Sequence, residues 1–203
     1  MGLFLALNGI IGKSQEEVIP HLTNFSKQNS GDCVPEIGST DNGDIAVVLE
    51  SSGNTSLLLP HNFMHWDDLA KYLSEKLNCP VFSFHIHDDD LWMYVLYESG
   101  DEIDHFNPIP DYWSDDLSEE EINFWMGQPD KISKIIGIEP DLISDYFQRW
   151  DLEQDEGKAY DNDEFEYCDA WQMCDFMKRI GLFYPMDENG NISGNTYKFT
   201  VKS

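Results

Sequence analysis

The sequence predicts an α+β fold: an antiparallel sheet, which two similar helix-plus-strands units could form, covered by C-terminal helices. Amphipathic helical patterns occur at residues 13–28 and 66–78, and β-rich runs separated by turn residues occur at residues 44–60 and 81–107. After residue 113 the pattern changes to short helical segments. We therefore expect a sheet of about six to eight strands with helices packed against it.

The two predicted parts belong to one domain. Residues 1–113 should form the sheet core, and residues 114–203 should form the helical cover, an acidic loop and a final strand. The segment at 91–98, LWMYVLYE, is apolar or aromatic on both faces, so it should be a central strand with helices over its outer face. The C-terminal helices are the natural cover for that strand.

Capping and breaking residues set the predicted helix ends. Ser14 with Glu17 and Ser118 with Glu121 have the spacing of a capping box. In the second part, proline and glycine predict short helices over residues 129–137 and from 140 onward, and a well-buried helix lies within 167–181. The run at 151–166 is strongly acidic and should be a solvated loop, and the last strand should begin near residue 197.

Two hairpin sequences resemble each other. VVLESSGN at residues 47–54 aligns without a gap on YVLYESGD at residues 94–101, so that Val48 meets Val95 and Gly53 meets Gly100. Each hairpin also follows a predicted amphipathic helix. A duplicated helix-plus-strands unit explains this pattern, and so do two independent hairpins with the same turn chemistry.

The charge of the chain limits its partners. The sequence has 12 basic and 39 acidic residues, for a formal net charge of −27. Such a field repels nucleic-acid phosphates and anionic lipid, so we expect neither nucleic acid nor membrane as a partner. A basic protein partner, a bound cation and simple solubility all remain compatible with it.

Cysteine usage and the opening residues predict a cytoplasmic protein without a membrane anchor. The four cysteines form no C-x-x-C pair and lie in apolar or helical surroundings, as expected for reduced, buried thiols. The opening segment MGLFLALNGIIG lacks a basic region and a cleavage site, and it is too short to span a membrane. It is more simply a first strand.

The segment FHIHDDDLW, at residues 84–92, allows two interpretations. His85 and His87 leave the same face of a strand, and with Asp104 or another nearby carboxylate they could hold zinc or ferrous iron. In the alternative, Phe82, Phe84 and Ile86 form the core face of a β-meander while the histidines face solvent. We favour the meander because H-x-H is common in strands, and we expect no metal and no cofactor. If acidic neighbours act on these histidines, they should raise the pKa values.

No familiar catalytic signature accompanies that segment. The sequence contains no G-x-S-x-G, no P-loop, no G-x-G-x-x-G and no H-E-x-x-H. Paired carboxylates carry no information in a chain with 39 acidic residues. The sequence therefore favours a protein without enzymatic activity.

We predict an acidic cytoplasmic binding protein that engages a basic partner. In size and acidity the chain resembles small bacterial immunity and inhibitor proteins, a resemblance of composition that no motif carries. The alternatives are a metal-dependent enzyme using His85, His87 and nearby carboxylates, and a DNA mimic, which would need acids spaced like phosphates. The predicted contact residues are all acidic and lie in turns or loops: Asp88, Asp89, Asp90, Asp101, Glu102, Asp161, Asp163 and Glu164.

Overall fold

The fold is α+β, as predicted, and its centre is one antiparallel sheet. The computed structural model describes residues 2–37, 43–114, 116–151, 157–187, 189 and 191–202. Within these ranges the sheet has eight strands. They are β1 (Leu5–Ile10), β2 (Cys33–Pro35), β3 (Ile45–Ser51), β4 (Asn54–Leu58), β5 (Val81–His87), β6 (Leu91–Glu98), β7 (Asp101–Phe106) and β8 (Asn195–Phe199).

The strand order is β2-β8-β3-β4-β1-β5-β6-β7. The first strand therefore lies in the middle of the sheet, and the last strand returns from the far end of the chain to lie between β2 and β3. Strand β1 pairs with β4 through Leu7 and Leu58, and with β5 through Leu5 and Ile86. Because the last strand completes the sheet, the two ends of the chain fold as one unit.

Helices cover both faces of the sheet. The α-helices of the described residues are α1 (Gln15–Gln28), α2 (Trp66–Leu77), α3 (Glu119–Phe124), α4 (Pro129–Ile136) and α5 (Gln172–Arg179). Helices α1 and α2 pack on one face, here called the helical face. The segments after residue 106 pack on the other, here called the C-terminal face.

The C-terminal face carries an aromatic core. Phe82, Phe84, Trp92 and Tyr94 are fully buried there against Phe176 of α5. The Tyr94 hydroxyl donates to Asp104 Oδ2 at 2.6 Å, which satisfies a polar group that would otherwise be costly in this core. This arrangement confirms that residues 91–98 form a covered strand and that C-terminal helices supply the cover.

The helical face has a core of aliphatic side chains together with the rings of Phe25, Phe63 and Phe199. Leu22 of α1 and Leu69 and Leu73 of α2 pack on Ile10 and Val48 of the sheet. Val81 and Ser83 of β5 also lie buried beneath these helices. The expectation that the histidine side of β5 faces solvent is therefore wrong for the first half of the strand, where α2 covers Val81 and Ser83.

The predicted capping and terminating residues of the helices are confirmed more often than the predicted helix lengths. The capping boxes at Ser14 and Ser118 are both present, and α4 begins at Pro129 and ends before Gly137. The helix expected from residue 140 is instead two 3-10 turns, at Pro140–Leu142 and Ser144–Tyr146. Helix α5 is shorter than the pattern predicted, and its burial is confirmed, with six of eight residues buried.

The predicted duplication stays a prediction. The two hairpins have turns of the same backbone conformation. Ser52 and Gly53 in one turn, and Ser99 and Gly100 in the other, all have positive φ. Helices α1 and α2 also pack on the same face. However, β5 and β6 pair directly, whereas β8 separates β2 from β3.

The acidic segment at residues 151–166, predicted as a solvated loop, contains buried residues as well as exposed ones. Residues 152–156 lie outside the described part of the chain. In the remainder, Ala159 and Asp163 are buried. Among the described residues, no helix is long and apolar enough to cross a membrane.

Candidate functional site

An apolar groove opens where β4 leaves β1. Strand β4 ends at Leu58, the Leu59 N–H still donates to the Ala6 carbonyl at 3.0 Å, and the chain then turns away at Pro60. Among the described residues, the chain before Ala6 therefore has no strand partner on that side. The resulting groove has a volume of about 890 Å³, which is in the range of ligand-binding sites.

Side chains from both faces of the sheet line this groove. Trp66 and His85 belong to the helical face, whereas Leu5 and Tyr184 belong to the C-terminal face. A pocket that lay on one face of a complete sheet would not reach both. The groove is thus a gap in the sheet. It lies beside β1, in the place that β4 would occupy if it continued past Leu58.

His85 forms part of the groove's inner wall. Its ring stacks on Trp66 with centroids 4.8 Å apart and planes 11° apart. Its Nδ1 is buried and has no hydrogen-bond partner among the described residues. Burial lowers the pKa of His85 to about 4, and the nearby His87 adds to this effect. At neutral pH His85 is therefore an uncharged ring with one unpaired nitrogen, and its pKa shift is opposite in direction to the one expected from acidic neighbours.

His87 lies at the mouth of the groove among aromatic rings. It contacts Phe4 and Trp113 edge-on, at centroid distances of 4.8 and 5.1 Å, and Tyr112 at 5.6 Å. The distance between the His85 and His87 centroids is 5.8 Å. These contacts hold one imidazole in an aromatic environment at the open end of β5.

Large apolar side chains are exposed around the mouth. Met64 is 69 % exposed, Trp113 is 56 % exposed and Phe4 is 38 % exposed. Isolated exposed apolar residues are ordinary on protein surfaces, but these three line one concavity. Clustering of this kind is typical of a surface that binds another molecule.

The turn at Asp88–Asp90 borders the groove. It follows His87 directly, and the backbone of Asp88 and Asp89 has positive φ. The Asp88 carboxylate accepts from the Gly2 N–H at 2.8 Å, and the Asp90 carboxylate accepts from the Tyr112 hydroxyl at 2.5 Å. Two of the three negative charges, those of Asp88 and Asp90, are thereby held in place beside the residues that line the mouth.

The other predicted contact residues do not join this turn. Asp101 and Glu102 lie at the opposite end of β6, whose eight residues span about 25 Å. That separation exceeds the screening length at physiological salt, about 8 Å, so the two turns act independently. In addition, Glu102 contacts His105 Nδ1 at 2.8 Å.

The predicted contacts at 161–164 belong to the cover of the C-terminal face. Asp163 is buried, accepts from the Tyr146 hydroxyl at 2.8 Å and pairs with Arg179 at 2.7 Å. These contacts give Asp163 a structural role in the cover, and its prediction as a contact residue stays a prediction. Glu164 pairs with Lys178 at 3.2 Å at the surface, and Asp161 is exposed.

The residues of the metal hypothesis do not converge. Asp104 is buried on the C-terminal face with Tyr94, whereas His85 and His87 lie on the other side of the sheet. Among the described residues, no group of three histidine, cysteine or carboxylate side chains is placed to hold a metal ion. The set His85, His87 and Asp104 is therefore not a metal site in this fold.

Sequence reasoning found the histidines and the acidic turn but missed the groove. Phe4 is far from Met64 and Trp66 in the sequence, and they meet because β4 ends at Leu58, opposite Leu7, before the start of β1 at Leu5. One signal was present: Pro60 prevents the chain from continuing β4 past Leu59.

Comparisons with known proteins add no further assignment. A scan against protein-family models, a search of curated proteins and a search of solved structures each found no match for this chain.

Proposed function

We propose that the protein is a non-enzymatic binding protein whose groove engages a basic partner protein. One observation carries the proposal: an apolar groove with exposed Met64 and Trp113 is bordered by the acidic turn Asp88–Asp90, where hydrogen bonds hold the carboxylates of Asp88 and Asp90. An apolar centre with charge at its edge is the usual anatomy of a protein interface.

The apolar part of the groove would supply affinity. Trp113 and Met64 each leave more than half of the side chain in water. Covering side chains of this size typically contributes about 1.5–3 kcal/mol each, and aromatic anchors in pockets dominate many interfaces. An apolar side chain of the partner would enter the groove and remove these groups from water.

The charge would supply attraction and selectivity. A net charge of −27 favours approach by cationic proteins, mainly through faster association. At physiological salt only charges within about 8 Å act strongly, so the turn at Asp88–Asp90 matters more than acids elsewhere. This arrangement supports a basic partner over an acidic or neutral one.

The proposal includes a cytoplasmic location, which the state of the cysteines supports. Cys33, Cys79 and Cys174 are free thiols, and all three are buried. Burial raises the pKa of Cys79 to about 11 and that of Cys174 to about 12, which keeps both protonated and unreactive. Fractionation of native cells should place the chain in the cytosol, and recovery from an extracellular or periplasmic fraction would contradict this location.

Two synthetic peptides of equal length test the proposal directly. One alternates lysine with valine and the other alternates glutamate with valine, each used below the concentration at which it self-associates. Titration calorimetry should show binding of the lysine peptide and not of the glutamate peptide. In a separate kinetic measurement, the association rate of the lysine peptide should fall as salt rises. Equal binding of both peptides, or binding of neither, would contradict the proposal.

Single charge variants locate the effect. Asp89→Asn keeps the positive φ that asparagine tolerates and removes one charge at the mouth. At physiological salt it should slow association of the lysine peptide about threefold, the effect of one unit charge at contact distance in water. Asp161→Asn, an equal change on the distant C-terminal cover, should leave that rate unchanged. Equal slowing by the two variants would show that only net charge matters.

A further inference from the structure

The groove contains a short stretch of unpaired backbone at Phe4, directly before β1 begins at Leu5. The Leu3 carbonyl accepts from the Asp89 N–H at 3.2 Å, toward β5, and the Ala6 carbonyl accepts from the Leu59 N–H at 3.0 Å, toward β4. Backbone groups of successive residues in a strand point to alternate sides. The backbone groups of Phe4 therefore point to the side that β4 has left.

Phe4 has no backbone partner on that side. Within the described part of the chain, neither its N–H nor its C=O takes part in a hydrogen bond. An open strand edge is a template on which another extended chain can pair. Here the open edge lies at the centre of the sheet, in a gap with apolar walls, rather than at its outer border.

The walls of the gap match the side chains of an extended chain. Successive side chains of a strand point to opposite faces of the sheet. In the gap, one such side chain would meet Leu5 and Tyr184, and the next would meet Trp66 and His85. The unpaired Nδ1 of His85 offers a hydrogen-bonding atom on the second side, a donor or an acceptor according to the tautomer.

We propose that the groove binds an extended segment of the basic partner, which adds to the sheet in line with β4 and pairs with the backbone of Phe4. This inference rests on the proposed function and specifies its mode of recognition, which is strand addition. Strand addition explains why the site joins a main-chain edge to apolar walls on two faces. The acidic turn at Asp88–Asp90 then lies at one end of the inserted segment and favours lysine or arginine there.

Backbone methylation of the lysine–valine peptide tests the mode of binding without altering the protein. N-methyl groups at alternate residues remove the donors on one edge of an extended peptide and keep its charge and side chains. Methylation of the edge that faces Phe4 should weaken binding at least tenfold. Methylation of the other edge provides the matched control and should change affinity less than twofold.

Amide exchange gives a second readout. Binding of the unmethylated peptide should slow hydrogen exchange of the Phe4 amide at least tenfold. If both methylated peptides bind as well as the parent and Phe4 exchange is unaltered, strand addition is wrong while the proposed function stands. If the lysine peptide itself fails to bind, the proposed function fails and this inference fails with it.

Discussion

The two faces of the sheet use similar aromatic residues for different purposes. On the C-terminal face, Phe82, Phe84, Trp92 and Tyr94 are completely covered by the segments after β7. On the helical face, α2 covers β5 as far as Ser83, and His85 and His87 beyond it line an open groove. The difference lies in the extent of the cover rather than in the residues. Aromatic side chains contribute to stability where the cover is complete and are available for binding where it stops.

The largest effect should come from the covered face. Phe176→Ala removes a fully buried ring that contacts Phe82, Phe84, Trp92 and Tyr94. We expect a loss of about 4 kcal/mol in the free energy of unfolding, the usual cost of a buried phenylalanine. Chemical denaturation measures it. A loss below about 1 kcal/mol would show that α5 does not pack as described.

A buried ion pair holds the same cover in place. Asp163→Ala leaves Arg179 with an uncompensated charge in a largely buried position. The expected loss in unfolding free energy is about 3 kcal/mol. Glu164→Ala is the control, because its pair with Lys178 is exposed and should contribute less than about 1 kcal/mol. Similar losses in the two variants would contradict the structural role of Asp163.

The pH dependence of stability should reveal the desolvated histidine on the other face. The pKa of His85 is lowered to about 4 in the folded chain, whereas an unfolded histidine has a pKa of about 6.5. The unfolded state therefore takes up a proton first as the pH falls, and stability declines between pH 6.5 and 4.

Replacing this histidine should reduce that decline. His85→Phe keeps a ring against Trp66 but cannot take up a proton. Between pH 7 and pH 4 the variant should lose about 2 kcal/mol less than the wild type, a value already reduced for solvent screening at the groove. Parallel pH profiles of the two proteins would mean that His85 is not desolvated.

Local chemistry explains what the sequence could predict. The capping boxes at Ser14 and Ser118 depend on residues three positions apart, so they can be recognised from the sequence alone. The alternation of Phe82, Phe84 and Ile86 correctly assigned these side chains to a core, because side-chain direction in a strand follows from position alone.

Long-range placement explains what the sequence could not. Strand β8 enters between β2 and β3, and no local pattern near residue 197 indicates that position. Asp163 looked like an exposed acid because its partner, Arg179, lies sixteen positions away. The groove depends on where β4 ends relative to β1, which is a matter of register rather than of composition.

The most direct test compares stability and binding in one pair of variants. Trp113→Ala removes an exposed ring at the mouth of the groove, and Phe124→Ala removes a similarly exposed ring on α3, away from the groove. Neither variant should lose more than about 1 kcal/mol in unfolding free energy. Trp113→Ala should weaken binding of the lysine–valine peptide at least about tenfold, as for an aromatic anchor, and Phe124→Ala should leave it unchanged. Equal affinities in the two variants, or a large loss of stability in Trp113→Ala, would contradict the assignment of the open end of the sheet to binding.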